Sequence, residues 1–309
     1  MLKQNETMIA ADGTPIYYQT WEDETRSCRG LLQIVHGYAE WVDRYDEFAC
    51  YMASQGFFVF GEDHRGHGQT QQRTDRLIHF AENDGFELVV NDNHALLEHI
   101  RDIHPGIPVF LFGHSMGSFL ARRYIQLYGD EFAGVILSGT GNNPAAALKF
   151  GHALAVTHVR THGAEFPDPY LNAIVFGQLN RGFHGSKTGL DWICRRASVI
   201  NGFFRDERRG TLATAGFFRD FIDGMLKTQN PTLIAQVPKD LPVLYVSGQA
   251  DPVGGRNASG VRAARKAMLN AGMTDVSIHI YPGARHEILN ETNRAEVSRD
   301  ILNWINLHI

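Results

Sequence analysis

The chain has 309 residues, of which 43% are hydrophobic and 20% charged, with a net charge of −5. Such a balance suits one large or two small globular domains with a full core, and excludes a disordered chain. It also offers no basic face for nucleic acid, and no run approaches the roughly 18 apolar residues that a membrane span needs.

The chain starts MLKQNETMIAADGTP. This stretch lacks an apolar core and is not read as a signal peptide. Thr7 to Ala10 and Ile16 to Trp21, separated by a turn at Asp12-Gly13, form a hairpin pattern. From Leu31 the pattern changes to short apolar strands alternating with helices, which implies a parallel sheet. LLQIV (31–35) is a strand, Arg44 to Gln55 a helix, FFVFGED (57–63) a strand, and Phe86 to Ile103 a long helix. PVFLFG (108–113) is a strand running directly into a helix over Ser115–Tyr128, and AGVILSG (133–139) follows as another strand. LPVLYVSG (241–248), a helix over Ala258–Ala271, VSIHIYPG (276–283) and a helix from about Asn293 complete the order.

About 100 residues separate the strands ending near Gly139 and starting near Leu241, whereas one crossover needs roughly a dozen. The excess is rich in aromatics and carries ten Lys/Arg against seven Asp/Glu between Arg160 and Lys227. We therefore expect a core at 1–140 and 241–309. A helical cap, 141–240, would be inserted over the carboxyl ends of the strands, where open α/β sheets place ligands.

Gly113-His114-Ser115-Met116-Gly117 lies where strand meets helix. Gly-x-Ser-x-Gly alone is a weak signal, and Ser115 could simply cap the helix. A serine in so sharp a turn is lifted above the sheet as a nucleophile. It then needs a base and a group to orient that base, in the order Ser, Asp, His. Asp251 (in SGQADPVGG) and His286 (in GARHEIL) each follow a strand, at the same sheet edge as Ser115. His279 lies inside a strand, His308 in the tail, and His64 and His67 precede the serine; His114 would point away from its neighbour's hydroxyl. Acyl transfer also needs two backbone N–H groups at the developing oxyanion. They are expected from Met116 and from Tyr38, in the loop after LLQIV. This chemistry requires no cofactor and no metal.

Together these pieces resemble the monoacylglycerol lipase and lysophospholipase branch of the α/β-hydrolases, which includes serine aminopeptidase-like members. The matching runs are HGYAEWVDRY (36–45), EDHRGHGQT (62–70), GHSMG (113–117), SGQADPVGG (247–255) and GARHE (283–287), with TGLDWICRRASVINGFFRDE (188–207) similar to that branch's cap. The resemblance implies an α/β-hydrolase fold with an inserted cap. It also implies binding roles for Glu40 and Arg44, which as an i,i+4 pair could equally be structural. Two features depart from the pattern. Leu289 stands where animal members place a second histidine, and DERRGTLAT (206–214) replaces a Pro-Cys-Gly-Phe-like run.

The expected activity is hydrolysis of a lipid-derived carboxylic ester through an acyl-enzyme. Amide cleavage by the same triad, or a non-catalytic receptor on this scaffold, are the alternatives; serine at position 115 argues against aspartate-nucleophile epoxide hydrolases and dehalogenases. Cys28, Cys50 and Cys194 are odd in number and widely spaced. They form neither a disulfide framework nor a zinc pattern, so a reduced, cytoplasmic enzyme is expected. Its partner is a small lipid or ester, with transient membrane contact through the cap.

Overall fold

The computed structural model describes residues 1–71, 75–183 and 188–309. Its centre is one eight-stranded sheet. The strands are β1 (Leu2–Ile9), β2 (Pro15–Glu22), β3 (Gly30–Val35), β4 (Phe57–Glu62), β5 (Val109–His114), β6 (Gly134–Ser138), β7 (Val243–Gly248) and β8 (Val276–Tyr281). Their spatial order is β1-β2-β4-β3-β5-β6-β7-β8. The hairpin β1–β2 and the pair β2–β4 are antiparallel, and every later pairing is parallel. This is the doubly wound, mostly parallel arrangement that the alternating pattern implies.

The inner strands are buried throughout and mostly apolar because both faces are covered. Leu31, Val35, Val109 and Leu111 face one core, while Leu32, Ile34, Phe110 and Phe112 face the other. Helices α1 (Asp46–Ala53) and α10 (Arg294–Asn306) cover the second face. The first is covered by α2 (Gly85–Ile103), α3 (Met116–Tyr128) and α9 (Ser259–Asn270). Fully burying a side chain such as Phe110 or Ile136 stabilises the fold by about 1.5–3 kcal/mol.

Predicted and observed elements differ mainly at their ends. The segment expected as helix from Arg44 begins instead as a 3-10 turn over Val42–Tyr45, with α1 following at Asp46. Between β6 and β7 lie α4 (Ala145–His162), α5 (Pro169–Phe176), α6 (Ala197–Arg205), α7 (Ala215–Thr228) and α8 (Pro231–Ile234). The inserted segment is thus helical. Its later part is not all lid-like, since α7 packs on α2 and α3 and buries Phe217 and Phe218 completely. Short backbone pairings, Ile78 with Ala213 and Pro167 with Thr214, hold the returning chain down just before α7.

Candidate active site

The parallel strands β3, β5, β7 and β8 release their chains at one edge of the sheet. Tyr38, Ser115, Asp251 and His286 follow those four strand ends.

Ser115 occupies the turn between β5 and α3 with φ 53° and ψ −120°, a backbone that non-glycine residues rarely adopt. Its side chain makes no capping hydrogen bond, so the alternative role as a helix cap is absent. The turn is held from both sides. Ser115 N–H donates to the Ser138 carbonyl at 2.9 Å, and Ser118 Oγ donates to the Ser115 carbonyl at 2.6 Å. Gly117 lets α3 approach β3 closely, because a Cβ there would sit 2.0 Å from the Val35 carbonyl oxygen.

Asp251 and His286 are almost completely buried. His286 Nδ1 lies 3.0 Å from each carboxylate oxygen of Asp251, and Asp251 Oδ1 also accepts the Val253 N–H at 2.9 Å. Burial disfavours the imidazolium, but the Asp251 charge and hydrogen bond outweigh it and hold the His286 pKa above its ordinary value. Ser115 and His286 line one cavity of about 220 Å³. No hydrogen bond joins them among the described residues, as is common before substrate aligns the pair. His114 lies beside the base and makes no hydrogen bond to the Ser115 hydroxyl among the described residues. Its ring centroid is 4.7 Å from that of His286, and its Nδ1 is 3.2 Å from Ser138 Oγ. Burial lowers its pKa, which keeps it neutral beside His286.

Tyr38 lines the cavity and Met116 opens α3, where N–H groups lack intrahelical partners. The Tyr38 loop lies over the serine: a Cβ on Gly37 would be 3.1 Å from Ser115 Cβ. Glu40 sets this loop, with Oε1 accepting from Gly37 N–H at 2.5 Å and Tyr45 O–H at 2.8 Å, and Oε2 from Arg44 at 2.6 Å. Glu40 lines the cavity; Arg44 lies behind it and donates two hydrogen bonds of 2.8 Å to Glu287. Burial pushes the Glu40 carboxyl up, whereas Arg44 more than offsets burial at Glu287 and holds it down.

Glu287 and Trp192 were not singled out from sequence. Trp192 sits 4.9 Å from the His286 ring, and its carbonyl accepts the His286 N–H at 3.3 Å. Nothing local marks either residue beyond its position in GARHE and in the Asp191-Trp192 segment. Three other histidines, His36, His64 and His67, are buried together outside the cavity lining, with His36 stacked on His64 and His67 edge-on to both. Burial brings His67 down to about 4.

A mostly parallel sheet with a strained serine at its central strand–helix turn defines an α/β-hydrolase. The family model described as "Serine aminopeptidase, S33" matches residues 26–293, and the chain belongs to that family, in its monoacylglycerol lipase branch. It is 36% identical to a monoglyceride lipase homolog of Monkeypox virus, covering 96% of each chain. It is also 28% identical to a monoacylglycerol lipase of Mycolicibacterium smegmatis, covering 99% of this chain and 98% of the relative. Among solved structures, a thermostable carboxyl esterase from Bacillus coagulans, in complex with glycerol, superposes with a TM-score of 0.92 at 26% identity. The superposition covers 100% of this chain and 99% of that one.

Proposed function

We propose that the protein hydrolyses monoacyl lipid esters through Ser115, His286 and Asp251. One observation carries this reading: the strained Ser115 turn opens into the same cavity as a buried His286–Asp251 pair. In the first half-reaction His286 Nε2 takes the Ser115 hydroxyl proton as Oγ attacks the ester carbonyl. Asp251 holds the imidazole in the required tautomer and stabilises the imidazolium. The Tyr38 and Met116 N–H groups meet the oxyanion. The tetrahedral intermediate collapses, His286 gives its proton to the leaving alcohol, and an acyl-Ser115 ester remains. Water, deprotonated by His286, repeats the sequence and frees the acid.

Two cavities meet at Ser115 and supply the two sides of such an ester. One of about 160 Å³ is lined by Met116, Phe119, Phe221, Met225 and Val253, and suits an acyl chain. The other, holding Glu40, Asn172, Arg209, His286 and Glu287, suits the alcohol. Relatives named monoglyceride lipase support a glycerol monoester. Phe150, Tyr170, Ile174 and Phe204 are 73%, 58%, 47% and 56% exposed on α4, α5 and α6. We assign them to transient contact with a lipid surface. No helix among the described residues is long and apolar enough to cross a membrane. The unpaired Cys28, Cys50 and Cys194 fit a reducing, cytoplasmic compartment.

The test compares p-nitrophenyl esters of rising chain length, monoacylglycerol, lysophospholipid and aminoacyl amides, using native protein and Ser115→Ala. Ser115-dependent turnover of the long esters is expected. Undiminished turnover in Ser115→Ala would refute the mechanism, and cleavage of amides but not esters would replace the substrate assignment.

A further inference from the structure

Arg209 lies in the DERRGTLAT run, where the sequence departs from its resemblance, and it lines the alcohol-side cavity with Ser115 and His286. Its guanidinium makes no hydrogen bond or ion pair among the described residues, and its Nε is buried without a partner. Its contacts are ring faces, with Phe203 and Phe204 centroids 5.4 and 5.2 Å away. The adjacent Arg208 contrasts with it, being paired to Asp206 at 2.9 Å and Asp43 at 3.0 Å. The carboxylates lining the cavity are not available to Arg209, since Glu40 and Glu287 are both held by Arg44. Burial lowers the Arg209 pKa, opposed by Tyr38 and aided by the like charge of Arg76.

A second donor in the same cavity is also unsatisfied: Asn172 Nδ2 is buried and unpartnered, while its Oδ1 accepts the Tyr38 hydroxyl at 3.4 Å. The Arg209 segment is held in place by backbone bonds from Thr211 N–H to the Arg76 carbonyl (3.1 Å) and from Ile78 N–H to the Leu212 carbonyl (2.8 Å). Leaving a half-buried cation and a buried amide without acceptors is unfavourable unless a ligand supplies them. A guanidinium fork matches phosphate oxygens in particular.

We propose that Arg209, assisted by Asn172, selects esters whose alcohol carries a phosphate group. This rests on the triad chemistry proposed above. The acyl chain occupies the apolar cavity, the carbonyl lies at Ser115, and the phosphorylated glycerol extends toward Arg209.

The full chain is assayed on 1-octanoylglycerol and on its 3-phosphate, as native protein, Arg209→Met, Arg209→Lys and Ser115→Ala. The ratio of kcat/KM for the phosphorylated over the neutral ester is expected to fall about 10- to 100-fold in Arg209→Met and to recover in part in Arg209→Lys. Taking the ratio within each variant cancels any general loss of folded enzyme. Glycerol 3-phosphate should inhibit hydrolysis of p-nitrophenyl butyrate more strongly than inorganic phosphate does, and only with Arg209 or Lys present. An unchanged ratio in Arg209→Met overturns the proposal, as does equal inhibition by inorganic phosphate. Absence of Ser115-dependent hydrolysis of both esters would defeat the underlying reading of function, and this selection with it.

Discussion

Glu287 and Arg44 face each other through two parallel hydrogen bonds, Nη1 to Oε1 and Nη2 to Oε2, each 2.8 Å long. Glu287 directly follows His286. Arg44 also binds Glu40, whose other oxygen holds the Gly37 N–H. A continuous polar chain therefore ties the loop after β3 to the loop carrying the base. All three charged side chains are at most 9% exposed, so Arg44→Met would leave two buried carboxylates without their cation. The expected loss is about 3–5 kcal/mol of stability, read by urea denaturation. A loss below about 1 kcal/mol would mean that the network contributes little.

In the proposed mechanism His286 must be neutral to accept the Ser115 proton, and Asp251, outweighing burial, holds its pKa above 6.5. The acid limb of kcat/KM is therefore expected to have its midpoint above that value. In Asp251→Asn the charge is gone while burial remains, so the limb should move to lower pH and kcat should fall by about 10⁴. For stability the sign runs the other way. The raised pKa favours the folded state fully below 6.5, and this contribution fades as pH rises through the folded value. A pH–rate series on both proteins checks this, and an acid limb that stays in place would remove Asp251 as its cause.

The loop over Ser115 should respond to its backbone more than to its side chain. A Cβ at Gly37 would stand 2.6 Å from Glu40 Oε1, so Gly37→Ala must displace the carboxylate that holds the Gly37 N–H, and with it the neighbouring Tyr38 N–H proposed for the oxyanion. Losing one oxyanion donor lowers kcat by about 10²–10³. Tyr38→Phe keeps that N–H and removes only a 3.4 Å contact to Asn172, so its kcat should change less than tenfold. Steady-state rates on one soluble ester compare the two, and equal losses would count against the Tyr38 assignment.

Ser115, Asp251 and His286 were legible because each sits just past an apolar run, and parallel strands bring such positions to one edge. The partners of those residues were not. Arg44, which was singled out with Glu40, and Glu287, which was not, are 243 residues apart, and nothing in the sequence pairs them. Glu40 and Arg44 did look like an i,i+4 pair, which they are. Their burial and their link to the His286 loop depend on how β8 returns beside β7. Arg209 was hidden among other charges, since its isolation is a property of what Arg44 and Arg208 already bind. The helical insertion was evident from its length, but the docking of α7 onto α2 and α3 follows from tertiary packing that no local pattern encodes.

Two glycine-to-alanine changes should have opposite signs. At Gly117 the new methyl would meet main-chain oxygens of Val35 and His36 at 2.0 and 2.4 Å, between the buried first turn of α3 and a fully buried central strand. Neither side can yield cheaply, so Gly117→Ala is expected to cost about 3 kcal/mol or more and to lower the yield of folded protein. Gly151 lies inside α4, and the nearest atom to an added Cβ is Ile222 Cδ1 at an ordinary 3.5 Å. There alanine restrains the unfolded chain and favours the helix, so Gly151→Ala should stabilise by about 0.4–1 kcal/mol. Thermal melts of both variants beside the native protein decide the matter. Destabilisation by Gly151→Ala would mean that α4 needs closer contact with α7 than that spacing allows.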